Sequence, residues 1–415
     1  MTAGSGNADG LCGGRPLRIA MVGQKGLPAT FGGIEHHVEQ LGRRLAERGH
    51  EVTVYCRASY GALPSDPYLG MHPVAAPTVG TKHLDAIVHS ATSTFKALAA
   101  GADIVHYHGI GPALLAPLPR LKPGARVVLT VHGLDHQRAK WNPAAKGVLG
   151  LSHWLSGRVP DRVVVVSEAL REHYRAEFGR EADYICNGVA TTPPAPAEEI
   201  RRSFGLEPGR YALHVGRLVP EKRADDLVAA YRELPGDHQL AIVGDSSFSD
   251  EYSRRLRELA AGDPRIVFTG FAFGAALAGL YRHARVFVQP SALEGLPLTL
   301  LEAVAHETPV LVSDLPAHRE VVGDGSSRHR VVPVGDREAL GSVLGSMLGA
   351  PAHADDRAHA VHRSVLDRYS WDRATDQLEA LYRTLVDEPG TLRAARGEGL
   401  EAPEAHLATH LGERP

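Results

Sequence analysis

Short runs of consecutive apolar residues recur along the chain, and most are followed by a polar loop and a stretch with apolar residues at helical spacing. In the first half these runs occupy residues 17–23, 51–56, 103–109, 125–133, 162–169 and 184–189. Uninterrupted apolar runs of this length are typical of parallel strands that are buried on both faces. Residues 34–49, between the first two runs, place their apolar side chains on one helical face and stop at Gly49. The pattern therefore predicts a β–α–β unit at the start of the fold.

The same alternation returns in the second half of the chain. Its apolar runs are residues 211–218, 239–245, 266–271, 286–291 and 309–314. Residues 190–200 read ATTPPAPAEEI without periodicity, so we expect an interdomain linker there. Residues 57–101 are rich in loop-forming residues, with one helix predicted over DAIVHSATSTFKALAA. Together the two series predict an α/β protein with two doubly wound parallel sheets.

Composition adds only broad limits to this picture. A chain of 415 residues is too long for one compact core and agrees with two domains. The net charge of −3 gives no support for nucleic-acid binding, which usually requires a strongly basic surface. The three cysteines, Cys12, Cys56 and Cys186, lack metal-type spacing and favour a reducing, cytoplasmic setting.

The two ends of the chain and its overall hydropathy bear on membrane contact. Residues 1–16 are glycine-rich and are expected to form a disordered tail rather than a signal peptide. Residues 388–415, rich in Gly, Glu, Ala and Pro, are expected to be disordered as well. We expect no membrane span, because no apolar run approaches the length that a transmembrane helix needs.

Consecutive glycines lie in the loop after the first predicted strand. Gly32 and Gly33 directly precede the first helix, but the loop does not fit the G-x-G-x-x-G pattern of dinucleotide sites. Such glycines would let the backbone approach a ligand closely and would present N–H groups at the helix start. A purely structural turn is the alternative interpretation.

Histidines end two of the first-half strands, at the sheet edge where open α/β sheets bind ligands. His132 precedes a glycine and a polar loop and is the stronger candidate, and His108 is the weaker one. A lone histidine is usually structural, which is our interpretation of His106. Basic and aromatic residues then follow at Arg138, Lys140, Trp141, Lys146, Trp154, Arg158 and Arg162. They could face an anionic acceptor or a membrane surface, or form an ordinary solvated face.

The second half carries charged residues of both signs at predicted strand ends. Arg217 and Lys222 follow the first strand of this half, where a guanidinium and an ammonium could bind phosphate oxygens. Glu294 lies in the loop after residues 286–291, and Glu302 lies in the helix that Pro297 is suited to begin. The N-terminus of that helix could hold a phosphate. A surface helix with two solvated glutamates is the alternative. No Asp-x-Asp occurs, so a metal that bridges a diphosphate is not indicated.

Five of these pieces, in this order, resemble one known family. They are FGGIEHHVEQLGRRLAERGHEVTVYC, TVHG with its His132, NGV at 187–189, VGRLVPEK, and EGLPLTLLEA. The chain resembles the retaining, metal-independent glycosyltransferases of family 4 over roughly residues 17–386. That family has the GT-B architecture, in which two Rossmann-like domains face each other across a cleft. TVHGLDHQRAKW looks most like bacterial enzymes that build surface or secreted saccharides.

The resemblance implies a role for each matching residue. Glu302 would bind the ribose hydroxyls, Glu294 would lie at the donor sugar, and Arg217 and Lys222 would stabilise the leaving diphosphate. His132, with His108 beside it, would contact the sugar on the acceptor side, and the catalytic set would be His132, Arg217, Lys222 and Glu294. The remaining donor-binding residues would be Gly32, Gly33, Gly216, Gly295, Leu296, Leu298 and Thr299. No cofactor or metal is implied, since front-face attack lets the leaving phosphate take the acceptor proton.

The resemblance also implies a division of the chain. We expect an acceptor-binding domain at 17–190, a linker at 191–208, a nucleotide-sugar-binding domain at 209–365 and a crossover helix at 366–387. That last helix could instead pack only on its own domain. Two positions depart from the family pattern: Ala190 replaces an Asp after NGV, and Arg223 replaces a Gly after GRLVPEK. The first puts the hinge contacts in doubt, and the second the loop into the following helix.

The expected function is transfer of a hexosyl-type sugar from a nucleotide-diphosphate sugar to a saccharide, lipid-linked or small-molecule hydroxyl. The product would serve polysaccharide, glycoconjugate or natural-product synthesis, and retention of the anomeric configuration is implied. The partners would be the donor and the acceptor, with peripheral contact at the inner face of a membrane left open and no nucleic acid. A GT-B epimerase or phosphorylase is one alternative, and a non-catalytic saccharide- or nucleotide-binding protein is another.

Overall fold

A computed structural model describes residues 14–30, 32–78, 85–134, 143–245, 250–326, 328–350 and 356–387. Its first domain contains, in chain order, β1 (Arg18–Val22), α1 (Gly33–Glu47), β2 (Glu51–Arg57), β3 (His72–Ala76), α2 (Asp85–Ala99), β4 (Ile104–His108), β5 (Arg126–Val131), α3 (Pro143–Arg158), β6 (Arg162–Val165), α4 (Glu168–Phe178) and β7 (Asp183–Tyr184). The strands form one sheet in the order β3-β2-β1-β4-β5-β6-β7, with every pair parallel. The order reverses between β1 and β4, where open α/β sheets place their ligand crevice.

The second domain repeats this topology. It contains α5 (Ala197–Phe204), β8 (Tyr211–Val215), α6 (Ala224–Arg232), β9 (Gln239–Val243), α7 (Asp250–Ala260), β10 (Ile266–Gly270), α8 (Gly274–Arg282), β11 (Val286–Gln289), α9 (Leu298–Ala305), β12 (Val310–Ser313), α10 (Pro316–Val322), β13 (His329–Val332), α11 (Arg337–Gly349) and α12 (Asp356–Arg368). The sheet order is β10-β9-β8-β11-β12-β13, again with every pair parallel. Its crevice lies between β8 and β11.

The last helix, α13 (Trp371–Asp387), packs against the first domain. Trp371, Leu378 and Tyr382 are buried in the same apolar cluster as residues of β1 and α1. Arg48 of the first domain donates to Glu379 of α13 at 2.9 Å. Gly188 lies so close to the start of α13 that a Cβ there would come within 2.2 Å of the backbone nitrogen of Trp371. The C-terminal helix therefore ties the chain's end back to the domain that the N-terminus builds.

A continuous apolar core joins the two domains. Buried residues of β4 and β5 belong to the same cluster as Tyr211, Phe287 and Leu300 of the second domain. The two Rossmann-like units thus face each other, and the GT-B expectation for the fold is confirmed. Within the described ranges, no helix combines the length and apolarity that crossing a bilayer requires.

The structure departs from the predicted elements at particular places. The edge strands β3 and β13 were absent from the prediction, because short strands such as HPVAA and HRVV carry little apolar signal. The expected linker contains α5, which packs on α8 and buries Ile200 completely. The run 184–189 forms only the two-residue β7, and the expected tails lie outside the described residues except for Gly14 to Pro16.

Candidate active site

The loop between β11 and α9 carries Glu294 at the carboxyl edge of the second sheet, and α9 itself carries Glu302. The strand ends at Gln289, and α9 begins at Leu298, so Pro297 immediately precedes the helix rather than lying inside its first turn. The side chain of Glu294 is only 8% exposed. Glu302 lies four residues into α9 and is largely buried as well. The alternative of two solvated glutamates on a surface helix is therefore wrong.

Glu294 is held by an ion pair with Lys222. Lys222 Nζ lies 2.5 Å from Glu294 Oε1, and its own side chain is 16% exposed. Gln289 Nε2 donates to the same carboxylate oxygen at 2.6 Å. Burial by itself raises the pKa of Glu294, but the ammonium of Lys222 outweighs it together with smaller contributions, and the pKa falls to about 2. The carboxylate is thus ionised throughout the physiological range.

Glu302 has the opposite electrostatic environment. Burial raises its pKa from the usual 4.5 to about 7, although the hydroxyl of Tyr281 partly opposes this shift by donating to Oε2 at 2.9 Å. Two carboxylates eight residues apart are therefore tuned in opposite directions by their surroundings. Groups whose pKa values are perturbed in this way concentrate at functional sites.

The strand ends next to the glutamates complete this edge. Gly216 directly follows β8, and Gly244 directly follows β9. The two glycines approach each other so closely that a Cβ on Gly244 would lie 2.1 Å from the carbonyl oxygen of Gly216. Arg217 comes next, half-buried, and Lys222 ends the short turn before α6. Arg223, where the family pattern has glycine, adopts φ 52° and so keeps the left-handed conformation that glycine favours. The backbone of this loop thus has a conformation that a glycine could also adopt.

The first domain meets this edge at two points. A Cβ on Gly33 would lie 3.7 Å from Leu298 Cδ1, so the predicted glycine loop faces the start of α9. A Cβ on Gly295 would lie 1.9 Å from the carbonyl oxygen of His132. Leu296 is buried in the shared core, and Thr299 is half-buried beside it. The structure therefore brings the predicted residues of both domains to one cleft.

His132 belongs to a cluster of histidines on the first-domain side. His132 Nε2 lies 3.5 Å from His108 Nδ1, and the rings of His37 and His132 meet edge to face with centroids 4.5 Å apart. Asn187 Oδ1 lies 2.7 Å from His37 Nδ1. Burial lowers the pKa of His37 to about 4 and those of His108 and His132 well below the usual value. These rings are therefore neutral at pH 7.

Among the residues that the structure describes, two groups of side chains have the spacing to hold a metal ion. One ring nitrogen from each of His37, His108 and His132 lies within 4.8 Å of the others, and the second group is His153, His173 and Glu177 on α3 and α4. His106 lies behind the first group, with Nδ1 2.5 Å from the Tyr382 hydroxyl and Nε2 2.7 Å from Thr130 Oγ1. The His106 ring is buried and both of its nitrogens are hydrogen-bonded, which agrees with the interpretation of this residue as structural.

Some residues of the site were not singled out from the sequence. His37 lies in a helix that reads as an ordinary amphipathic one, and Asn187 lies in NGV far along the chain. Gln289 did carry a signal, since a polar residue ends the apolar strand VFVQ. Tyr281 lies in α8, and only the tertiary fold brings it to Glu302.

The predicted basic patch is only partly described. Arg138, Lys140 and Trp141 lie outside the described residues. The guanidinium of Arg158 lies 4.7 Å from the centre of the Trp154 ring, and Arg162 pairs with Asp183. These contacts agree with an ordinary surface and give no direct support to a membrane face.

Comparison with known proteins places this architecture in a family. Residues 31–192 match Glycosyltransferase Family 4, and residues 209–349 match Glycosyl transferases group 1. The chain is 27% identical over 390 residues to the alpha-maltose-1-phosphate synthase of Mycolicibacterium smegmatis, covering 88% of this chain and 99% of that protein. It is 30% identical over 368 residues to the GDP-mannose-dependent alpha-(1-6)-phosphatidylinositol monomannoside mannosyltransferase of the same organism, covering 83% of this chain and 93% of that protein.

A solved structure gives the same result at the level of the fold. HepE of Anabaena in complex with UDP-glucose superposes with a TM-score of 0.72 at 17% identity, covering 89% of this chain and all of that one. At 17% identity this structural similarity shows only a shared fold. The family assignment rests on the sequence matches. The chain belongs to the family 4 glycosyltransferases and has their GT-B architecture.

Proposed function

We propose that this glycosyltransferase moves a hexosyl-type sugar from a nucleotide-diphosphate sugar to a hydroxyl acceptor, with retention of anomeric configuration and without a metal. The acceptor would be a saccharide, a lipid-linked saccharide or a small molecule. The product would enter polysaccharide, glycoconjugate or natural-product synthesis. We place the reaction in the cytoplasm, and for a lipid-linked acceptor at the inner face of a membrane.

One observation carries the proposal: the Lys222–Glu294 pair lies at the carboxyl edge of the second sheet, and the loop of His132 touches Gly295 beside it. An ammonium has three donors, and Glu294 uses one of them. Lys222 can therefore keep its carboxylate partner while it donates to a diphosphate. Arg217, which lies two residues after the end of β8, is the second cation proposed for the diphosphate.

Glu294 would act on the donor sugar. Lys222 and Gln289 both contact Oε1, so Oε2 keeps acceptor capacity for a ring hydroxyl. With its pKa near 2, the carboxylate stays ionised and can stabilise positive charge that develops at the anomeric carbon. Holding this charge in a buried site is worth more than in water, because the local dielectric is lower.

Glu302 would bind the ribose. Its two carboxylate oxygens can accept from two neighbouring hydroxyls, and Tyr281 already fixes the side chain from behind. The N–H groups of Leu298 and Thr299 at the start of α9, together with the backbone at Gly33, would add donors for phosphate oxygens. Lys222, Arg217 and these N–H groups would thus neutralise the diphosphate without a metal.

The transfer step follows from this arrangement. The bond between the anomeric carbon and the diphosphate oxygen breaks, and the acceptor oxygen bonds to the anomeric carbon on the same face. The acceptor proton passes to the departing phosphate oxygen, so no side chain has to act as a general base. His132 and His108 are neutral. His132 is partly exposed and would hydrogen-bond a hydroxyl on the acceptor side, whereas His108 is buried behind it against Met21 and would not reach the acceptor.

A donor screen tests the proposal. UDP-, GDP-, ADP- and dTDP-sugars are added to the protein and its melting temperature is measured, since a ligand at about 100 times its Kd adds roughly 2.7 kcal/mol of stability. We expect one class to raise the melting temperature, with the shift reduced in Glu302→Gln. Glu338→Gln, an exposed residue on α11, is the matched control and should keep the shift. If no nucleotide sugar stabilises the protein, the proposal is wrong.

Product analysis separates the alternatives. A transferase yields a new glycoside whose anomeric configuration is read by NMR, and the same configuration as the donor supports retention. An epimerase would interconvert nucleotide sugars without any acceptor. A non-catalytic binding protein would show the thermal shift but no product with any acceptor class.

A further inference from the structure

A second group of histidines, away from the strand ends that carry the proposed catalytic residues, has the geometry of a metal site. His153 lies on α3, and His173 and Glu177 lie one helical turn apart on α4. His153 Nε2 and His173 Nε2 are 3.2 Å apart. Glu177 Oε1 is 3.8 Å from His153 Nε2, and Glu177 Oε2 is 3.9 Å from His173 Nε2. Three potential ligand side chains from two helices therefore converge on one point.

These separations fit a small divalent cation with nitrogen and oxygen ligands. Zinc binds imidazole nitrogen at about 2.0–2.1 Å and carboxylate oxygen at about 2.0–2.2 Å, so ligands at tetrahedral angles lie about 3.4 Å apart. The two imidazole nitrogens already have nearly this separation. Glu177 is half exposed, so its side chain can move the remaining few tenths of an ångström without disturbing the core.

The two helices hold the histidines in a rigid frame. Ser156 of α3 and Tyr174 of α4 are hydrogen-bonded through their hydroxyl oxygens at 2.6 Å. A Cβ on Gly157 would lie 2.4 Å from the ring of Phe178, so the helices approach closely at this point. The His153 ring is stacked at 29° on that of His173. Ligands that are fixed in advance in this way lose little conformational entropy when an ion binds.

We propose that His153, His173 and Glu177 bind a zinc-class transition-metal ion that links α3 to α4. Two imidazoles and one carboxylate suit Zn²⁺, Co²⁺ or Ni²⁺ and do not suit Mg²⁺ or Ca²⁺, which prefer oxygen ligands. Solvent would complete the coordination, since the Glu177 side of the site is open. The ion has a structural role: it holds α3 against α4 and takes no part in sugar transfer.

The test is a Co²⁺ titration of the full-length protein without a polyhistidine tag. Tetrahedral Co²⁺ with these ligands gives visible absorption, and Zn²⁺ should displace it with loss of the colour. We expect saturation at one equivalent, with Zn²⁺ raising the melting temperature and Mg²⁺ leaving it unchanged. His173→Gln and Glu177→Gln should each weaken binding at least about 10-fold, the lower limit for loss of even an outer-shell partner.

His37→Gln is the matched control, because His37 belongs to the other histidine group. This variant should bind Co²⁺ at the α3–α4 site as tightly as the wild type. Binding that survives in His173→Gln but disappears in His37→Gln would assign the ion to the cleft histidines and overturn the proposal. Absence of Co²⁺ and Zn²⁺ binding in the folded wild type would overturn it as well. Neither result depends on glycosyl transfer, so the proposed function is tested separately.

Discussion

Replacing Lys222 by methionine is expected to leave a buried carboxylate without its cation. Methionine keeps most of the apolar stem, so the main change is the loss of the ammonium 2.5 Å from Glu294 Oε1. Removing one partner of a buried ion pair usually costs about 3–5 kcal/mol of unfolding free energy. Gln289 still donates to the carboxylate at 2.6 Å, which places the expected loss near the lower end, about 3 kcal/mol.

The electrostatics of Glu294 give a consistent magnitude. Its pKa of about 2 lies well below the usual 4.5, and this difference corresponds to about 3.4 kcal/mol of stabilisation of the ionised form. A carboxyl whose folded-state pKa is lowered stabilises the protein above pH 4.5, and this contribution is lost as the pH falls toward 2. Without Lys222, burial raises the pKa of Glu294, and the carboxyl takes up a proton at mildly acidic pH. The destabilisation should therefore be largest at pH 7 and smaller at pH 4.

Urea unfolding followed by circular dichroism at pH 7 and pH 4 measures this difference. In a Glu294→Gln background, Lys222→Met should cost at least about 2 kcal/mol less than in the wild type, because no charge is left unpaired. Lys96→Met is the matched control, since Lys96 on α2 is exposed and donates to the backbone carbonyl of Ala75. An equal cost of Lys222→Met in both backgrounds and at both pH values would refute the reasoning.

Four further predictions follow from the site. Lys222→Ala should lower turnover at least about 100-fold, since one lost transition-state contact costs of order 3 kcal/mol; near-normal steady-state rates would refute this role. The raised pKa of Glu302, about 7, adds stability that is complete below pH 4.5 and is lost as the pH rises through 7. The melting temperature of Glu302→Gln should therefore depend less on pH between 5 and 8 than that of the wild type. An unchanged pH dependence of the melting temperature would contradict burial as the cause. Gly295→Ala would place its Cβ 1.9 Å from the His132 carbonyl oxygen and should open the cleft, seen as a larger radius of gyration in X-ray scattering, while Gly349→Ala, which meets nothing within 4 Å, should not. In the Glu177→Gln variant, in which the proposed α3–α4 metal site is disabled, transfer should continue in excess EDTA, and a loss that divalent metal restores would contradict metal-free chemistry.

The positions of the first loops and strand ends could be predicted from the sequence because local residue patterns determine them. Apolar runs of strand length, helical spacing in 34–49 and Gly32-Gly33 predict a β–α–β unit from local sequence alone. Charged and histidine residues directly after strands were expected at one sheet edge, since parallel strands end on the same side. The five motifs then gave the family, which the comparisons confirm.

The sequence also determined that the chain repeats one architecture, but not where the repeats touch. Edge strands such as β3 and β13 pair on one side only, so weak patterns suffice to form them. The crossover helix predicted at 366–387 is broken before Trp371, where the backbone packs on Gly188 and Val189 N–H donates to the Tyr369 carbonyl oxygen at 2.8 Å. That break depends on contacts between residues about 180 positions apart, which no local pattern encodes.

The tertiary structure alone decided the chemistry of the glutamates and histidines. In the sequence, Glu294 and Glu302 are two similar residues of one helix and its loop. The fold pairs Glu294 with the ammonium of Lys222 and buries Glu302 without a cation, and their pKa values move apart to about 2 and about 7. The reason is physical: burial and the nearest charge set a pKa, and both arise only when segments distant in sequence come together.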